Sequence, residues 1–400
     1  MLELTSFDAA RAALRNRDLR QALYDEGASL MGSVIVNLHG VEHTARRRLE
    51  NRLFSPETVA WYDRDRIPAI IESVVGRAAA AGFGDAQELA RRALMWLSLD
   101  VAGIDLPDDP AGRDAAFEDV FSLMHRLATS SVVVHATGDK ASIIADGDRA
   151  LDEFERRFFR PARDRRAALI DPNAGDASLD DLPRDVLTTL LVNDDRLALS
   201  PHDVLREVAY FPWVGAHSTA AQLLHLLDHV FERLRIDAGL RGRLIDDPAL
   251  RLRWVHESLR LHPASPVAVR RVATDTTVDR RSLAIGDEVV IAVAAANRDP
   301  AVFVDPDDFV PDRVVPGGVA RWGLSFGSGM HACLGRELAA GRETGPDGAH
   351  IDGALSLLLS ALLRAGATLD PDDPPTLDET TTRRNWGRFP LRFPTAKRTS

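Results

Sequence analysis

Apolar residues recur at spacings of three and four along most of the first 235 positions, the signature of helices that turn one face to a core. The stretches PAIIESVVGRAAAAG, ELARRALMWLSLDVAG and HDVLREVAYFPWVGAHSTAAQLLHLLDHVFERLR show it most plainly. The last opens with Ser200, Pro201 and Asp203, which read as an N-cap, a first-turn proline and a capping-box acid. Continued to Leu234, it predicts a helix of roughly 50 Å at about 1.5 Å per residue, long enough to cross a whole domain. Pro212 removes a backbone donor inside it and predicts a bend just before Gly215.

After Pro263 the pattern shortens. PVAVRRVATDTTV and EVVIAVAAA are short runs rich in β-branched residues, punctuated by Asp, Arg and Gly, and predict a few short strands. A stretch dense in Asp and Pro follows, ANRDPAVFVDPDDFVPDR, and then a glycine-rich segment. No repeat of 20 to 50 residues and no Ser/Gly-rich linker divides the chain. The expected architecture is mainly α with a small β part, in a single domain spanning residues 1–400.

Composition narrows the chemistry. With one cysteine in 400 residues the chain can form no internal disulfide and no multi-thiolate zinc site, which fits a reducing compartment. The N-terminus lacks a basic segment followed by an apolar one, and nowhere do about 18 apolar residues run without charge, so no membrane span is expected and the cytoplasm is the expected location. A net charge of -11 argues against nucleic acid as a partner. The basic side is almost all arginine, with lysine only at 140 and 397, which supplies many guanidinium forks for carboxylates.

The lone cysteine lies in FGSGMHACLG, residues 326–335. Glycines at 327, 329 and 335 let the backbone turn tightly and approach a flat partner, and a thiol near backbone N–H groups can be held as thiolate. A thiolate with an open face is a good axial ligand for heme iron. Phosphate binding fits poorly, since no strand precedes the loop and no Lys-Ser/Thr follows it. On the residues alone, heme or metal ligation and a buried inert cysteine stand as equal readings.

Phe326, Gly327, Gly329, His331, Cys333, Leu334 and Gly335 resemble the heme-binding loop of soluble bacterial cytochrome P450s. Four further stretches resemble that family in its order: GVEHTARRRLENRLFSP near the start, Glu257 and Arg260 in HESLRLHP, Ala296 to Pro300, and Phe309 to Arg313. The resemblance implies heme b as cofactor, with Cys333 as the iron ligand, Phe326 packed beside its sulfur and Gly335 in the loop. It implies His43, Arg47, Arg271 and His331 as the residues holding the heme carboxylates. Arg271 is preferred to Arg270 because Arg271 and Ala273 match the family's Arg-x-Ala pattern. Glu257, Arg260 and Arg313 are implied as a buried ion network under the cysteine loop.

Other readings of these residues are structural. By themselves Arg46, Arg47 and Arg48 read as a solvated helix face. His225 and His229, four apart on the long helix, read as packing in the absence of a third ligand, and Tyr210, Phe211 and Trp213 read as core.

Three departures from the family matter. Where its long helix carries an acid and a threonine over the oxygen site, this chain reads VGAHSTA, so Gly215 keeps the glycine, His217 replaces the acid and Ser218 replaces the threonine. A shift of one position would restore Thr219 and lose the glycine. Imidazole moves protons near neutral pH and serine supplies a hydroxyl, so His217 and Ser218, with Thr219 beside them, are the catalytic candidates. Gly215, Ala216 and Val267 are candidate pocket residues. Second, the chain begins where the family's B helix begins, which implies that the usual N-terminal helix and first strands are absent. Third, GRETGPDGAHIDG at 341–353 interrupts the helix after the cysteine, an insertion expected on the side where a ferredoxin docks.

The resemblance thus implies a monooxygenase acting on a small molecule of bacterial secondary metabolism, with O2 and electrons from ferredoxin and its reductase. The altered acid/alcohol pair also admits a heme-thiolate enzyme of other chemistry: peroxide-driven oxidation, radical cyclisation or coupling, dehydration, rearrangement or nitrene-type transfer. A heme sensor or carrier without turnover is the alternative of a different class.

Overall fold

The computed structural model describes residues 1–170, 182–343 and 350–394. The chain is mainly helical with small sheets, and the elements follow the hydrophobic pattern closely. Helices occupy Ile67–Ala81, Ala86–Ala102 and Pro201–Leu234, and strands occupy Ala268–Val272, Thr276–Val278 and Glu288–Ile291. The run EVVIAVAAA is only half strand: after Ile291 it becomes the short helix Val293–Ala296, where three of the four residues are alanines, which favour helix over sheet. Among the described residues no helix is long and apolar enough to cross a membrane.

The chain folds into two compact units, one of 1–22, 56–94 and 218–400, the other of 23–55 and 95–217. In the first, Leu2–Leu4 runs parallel to Glu288–Ile291, which pairs antiparallel with Ala268–Val272, which in turn pairs with Leu19–Gln21. This four-stranded sheet buries Leu2, Leu4, Leu19, Val289 and Ile291 against Phe7, Ala10 and Leu14 of helix Phe7–Arg15. The chain therefore starts with a strand, and its first helix follows at Phe7.

The segment 341–353 is closed at its base; residues 344–349 lie outside those described. Arg342 and Ile351 exchange both backbone hydrogen bonds, at 2.7 and 2.9 Å. Gly341 and Gly353 both have positive φ, 69° and 74°, and touch each other so closely that a Cβ on Gly353 would lie 2.3 Å from the Gly341 nitrogen. No other residue fits either place. Beyond the neck, helix Gly353–Arg364 begins, and Asp63 accepts hydrogen bonds from the Asp352 and Gly353 N–H groups at 3.0 and 2.7 Å. That carboxylate satisfies donors which the first turn leaves free.

In the second unit, helix Lys140–Phe154 packs on helix Pro110–Ser131, with Gly147 set directly against the Ser130 side chain. Each helix is capped by an aspartate, Asp109 and Asp139, which accepts a first-turn N–H. The long helix starts as its sequence demands: the Ser200 hydroxyl accepts from the Asp203 N–H at 3.1 Å and donates to the Asp203 carboxylate at 2.7 Å. It runs through Pro212 without a break to Leu234, and the division between the units falls within it, after His217.

Candidate functional site

The cysteine loop belongs to the first unit. Trp322 to His331 forms a succession of tight turns in which Gly327 and Gly329 take φ of 68° and 74°, open to glycine at no steric cost. The Cys333 N–H donates to the Phe326 carbonyl at 2.9 Å, which closes the loop and leaves the thiol exposed. Gly329 rests on the end of helix Phe7–Arg15: a Cβ there would come within 2.9 Å of the Arg15 Cα. Phe326 packs edge-on against Trp322, and Trp322 edge-on against His256, whose Nε2 meets the Ala340 carbonyl at 3.0 Å. Burial lowers the His256 pKa to about 4, so the ring is neutral and serves as packing and hydrogen-bonding group.

Beneath the loop the structure brings Glu257, Arg260 and Arg313 together in one closed ion cluster. Arg260 makes a two-pronged bond to Glu257 at 2.8 and 2.9 Å, and Arg313 Nε reaches the same carboxylate at 3.0 Å. The remaining guanidinium donors go to the carbonyls of Asn297, Val304, Asp305, Pro306 and Asp308. Asn297, which sequence reading passed over, ties this cluster to the cysteine loop. Its Nδ2 donates to the Arg260 carbonyl and to Ser325 Oγ, and its Oδ1 accepts from the Leu324 N–H. The Asn-Arg-Asp-Pro stretch had carried that signal, but only as a motif without a stated task.

Strand Ala268–Val272 presents two faces. Arg270 points to the buried side and bonds the Gln21 side chain, whereas Val269 and Arg271 lie on the half-exposed side. Arg271 pairs there with Glu288 at 2.6 Å. Val267, four residues before Arg271, is also half-buried, and period-two alternation puts it on the same face. The accessible guanidinium is thus Arg271. His331 is half-buried in the single turn Gly329–His331, two residues before Cys333, and Gly335 stands at the N-terminus of helix Arg336–Ala340.

In the second unit, helix Gly40–Glu50 carries His43 and Arg47 one turn apart. His43 is buried, and burial, reinforced by Arg47 and His39, lowers its pKa to about 4, so its ring is neutral. Arg47 donates from Nε to Asn51 at 2.9 Å. The arginine run divides here: Arg48 is exposed, Arg47 half-buried, and Arg46 buried with Glu50. Arg46 is therefore no part of a solvated face, because positions 43, 46 and 50 share the stripe that turns inward.

On the long helix, Gly215 lies against Ser98, whose Oγ would be 2.6 Å from a Cβ at that position, and Ala216 is fully buried. His217 is half-buried, and its Nδ1 meets the Trp213 carbonyl one turn back at 3.1 Å. His125 of helix Pro110–Ser131 stacks on it with centroids 5.7 Å apart, a neighbour no sequence pattern announced. Ser218 and Thr219 follow, both half-buried. Phe211 and Trp213 are buried and Tyr210 packs edge-on against both, as core residues do.

His225 and His229 acquire a third partner that sequence did not supply. His262 stacks on His225 at 4.3 Å and its Nε2 lies 3.0 Å from Nε2 of His229. Burial, above all other causes, pushes His225 and His229 down to about 4 and His262 lower still. Three neutral rings, two of them joined through Nε2 and the third stacked on His262, are packing, and among the described residues no group of His, Cys, Asp and Glu is arranged to hold a metal.

The donor set suits an iron porphyrin. In the first unit one exposed thiol stands on a glycine-turned loop and Arg271 offers a half-exposed guanidinium; in the second, taken by itself, His43 and Arg47 lie one turn apart. Soft thiolate for iron and guanidinium or ring donors for carboxylates is the chemistry such a group needs.

Known proteins agree. Residues 252–341 match the family model described as cytochrome P450. Cyclooctat-9-en-7-ol 5-monooxygenase of Streptomyces melanosporofaciens is 34% identical over 345 residues, covering 79% of this chain and 71% of that protein. Shorter matches reach the cytochrome P450 family protein EryCII of Saccharopolyspora erythraea, 46% identical over 77 residues, and cytochrome P450 105A3 of Streptomyces carbophilus, 31% identical over 206. These two alignments span 21% and 47% of the relatives' own lengths. The crystal structure of CalO2 superposes with a TM-score of 0.76 at 23% identity, covering 98% of this chain and 90% of that one.

Proposed function

The chain belongs to the cytochrome P450 family, and from that premise we propose that it is a heme-thiolate monooxygenase of bacterial secondary metabolism, acting on a small molecule in the cytoplasm. The observation that carries the reading is the exposed Cys333 thiol on a loop held from behind by Asn297 and the Glu257, Arg260 and Arg313 cluster. Bound heme b supplies iron chemistry for activating oxygen with two electrons. Everything else falls to side chains of the chain itself.

Cys333 would hold the iron, and the bond from its own N–H to the Phe326 carbonyl fixes the loop without spending the sulfur's lone pairs. His43, Arg47, Arg271 and His331 would hold the carboxylates, the arginines by charge-assisted bonds. His217 would take protons from the solvent side and pass them to Ser218, whose hydroxyl delivers them to the oxygen being reduced. The bond between His217 Nδ1 and the Trp213 carbonyl favours the tautomer with the proton on Nδ1, which leaves Nε2 as the acceptor. Thr219 is the reserve hydroxyl one position on.

Electrons would come from a ferredoxin and its reductase. Gly215 and Ala216, packed against Ser98 and in the core, would shape the pocket through the backbone of their turn, while Val267 would present its side chain. The Streptomyces melanosporofaciens relative is named for the oxidation of cyclooctat-9-en-7-ol, an alcohol that is otherwise hydrocarbon, and this supports an apolar substrate.

The test begins with the CO difference spectrum of the reduced protein. A thiolate-type band that disappears in Cys333→Ala is the expected result, and a band that survives the substitution overturns the ligand assignment. With surrogate ferredoxin, His217→Ala should divert electrons from product to peroxide by roughly tenfold or more, in line with the usual worth of a proton-transfer residue. Unchanged coupling would remove His217 from the mechanism.

A further inference from the structure

Helix Gly40–Glu50 carries a second set of charged groups that the proposed chemistry does not use. Arg46, Glu50 and Glu207 are 4%, 0% and 0% exposed. Glu207, on the long helix, accepts from the Ile35 N–H at 2.9 Å and forms an ion pair with Arg46. Arg46 also donates to the Ser33 carbonyl at 2.7 Å. Neither carboxylate oxygen of Glu50 has a hydrogen-bond partner, nor has Nε of Arg46.

Two carboxylates and one guanidinium out of water cannot all stay ionised cheaply, because an unpaired buried charge costs several kcal/mol. The other titratable groups nearby are His39 just before the helix, His43 and Arg47 on it, and Asp203 and Arg206 on the long one. One proton held by the two carboxylates leaves a neutral acid beside a paired arginine. Like charges sharing a buried site behave this way in general.

The cluster shares its helix with the heme-binding candidates. Positions 43, 46 and 50 form one inward stripe, and Arg47 adjoins Arg46. We propose that Arg46, Glu50 and Glu207 form a one-proton lock that fixes helix Gly40–Glu50, so that the grip of His43 and Arg47 on the heme carboxylates loosens when the proton leaves. The proposal rests on the heme-binding reading of His43 and Arg47. These three are positioning residues and touch no cofactor.

The direction with pH follows. Burial first, then the charge of Glu207, raises the Glu50 pKa well above the usual carboxylate range, and burial raises Glu207 to about 7 despite Arg46. The folded protein thus holds this proton more firmly than the unfolded chain, where a glutamate titrates near about 4.3. The stabilisation is complete below that value and is lost as pH climbs through the raised titration range of the pair, about 7 for Glu207. Above that range Glu50 becomes a second anion facing Glu207, and competes for Arg46.

The experiment measures heme loss from the loaded protein to an apo-globin acceptor between about pH 5 and about pH 9. In the unsubstituted protein the rate should rise roughly tenfold across this range, equivalent to about one pKa unit of coupling. Glu50→Gln, an imitation of the protonated acid, should hold the rate constant within about twofold. Glu207→Gln should flatten it too, but at a higher rate throughout, because Arg46 loses its partner. Infrared spectra of the unsubstituted protein should show a buried protonated carboxyl band at neutral pH that is absent in Glu50→Gln. An unchanged slope in Glu50→Gln, or no such band in the unsubstituted protein, overturns the proposal. A thiolate-type CO band in all three proteins would keep the functional reading intact in either event, whereas its absence in the unsubstituted protein sinks that reading alone.

Discussion

Two buried clusters of the same residue types behave differently, and the difference is stoichiometry. Around Glu257 two arginines meet one carboxylate, and the surplus donors find backbone carbonyls. Around Arg46 two buried carboxylates accompany one arginine, which pairs with Glu207 alone; Glu50 has no hydrogen bond, and Nε of Arg46 is unpartnered too. Backbone carbonyls are plentiful in a loop-rich region and can absorb extra N–H groups. They can do nothing for an extra carboxylate. A surplus of arginine therefore makes a rigid joint, and a surplus of glutamate makes a proton-binding one.

The sharpest break of this comparison is Arg260→Met. It strips donors from Glu257 and from the carbonyls of Asn297, Pro306 and Asp308 together, and a loss of about 3–5 kcal/mol is expected in chemical unfolding of the loaded protein, with loss of the thiolate-type CO band. A loss under about 1 kcal/mol would show that the closed cluster bears no stability.

Next comes the opposite operation on the open cluster. Joint replacement by Met at 46 and Leu at 50 and 207 removes every buried charge at once. The outcome should range from neutral to a gain of about 1–4 kcal/mol, with the pH dependence of heme retention gone. Strong destabilisation would mean that the cluster is held together by bonds its oxygens do not display.

The smallest effect belongs to a triad of the same two-to-one composition at the surface. Arg157 stands between Asp119 and Glu153, with all three side chains roughly a third to a half exposed. Arg157→Ala should change stability by no more than about 1 kcal/mol, fading further with added salt. A larger change would show that composition outranks burial, against the reasoning above.

The amphipathic helices were legible because their periodicity is strong and their ends are marked. Ser200 and Asp203 announced the start of the long helix, and the structure begins it at Pro201. The strands after Pro263 were legible for the same reason until the alanines at 294–296, where β-branching stops. Within the candidate site, Glu257, Arg260 and Arg313 were readable through motifs, and the structure joins them in one cluster.

What escaped was partnership between distant positions. His262 lies 33 residues from His229, Glu207 lies 161 residues from Arg46, and His125 and His217 belong to different helices. A single sequence carries no trace of such pairings. The inward face of Arg46 did leave a trace, since it stands three residues after His43 and three before Leu49, but charge outweighed periodicity in the reading.

The neck at Gly341 and Gly353 separates two construction problems that a helix normally merges. The chain returns to its starting point within a single pair of backbone hydrogen bonds, and Asp63 restarts the next helix independently, so the bonds that close the neck do not run through residues 344–349. Lengthening that stretch twofold adds only about 0.6 kcal/mol of closure entropy. The base is thus a socket: a peptide tag, a fluorophore-bearing segment or a whole reporter domain can be spliced in there, with the fold on either side left to close as before.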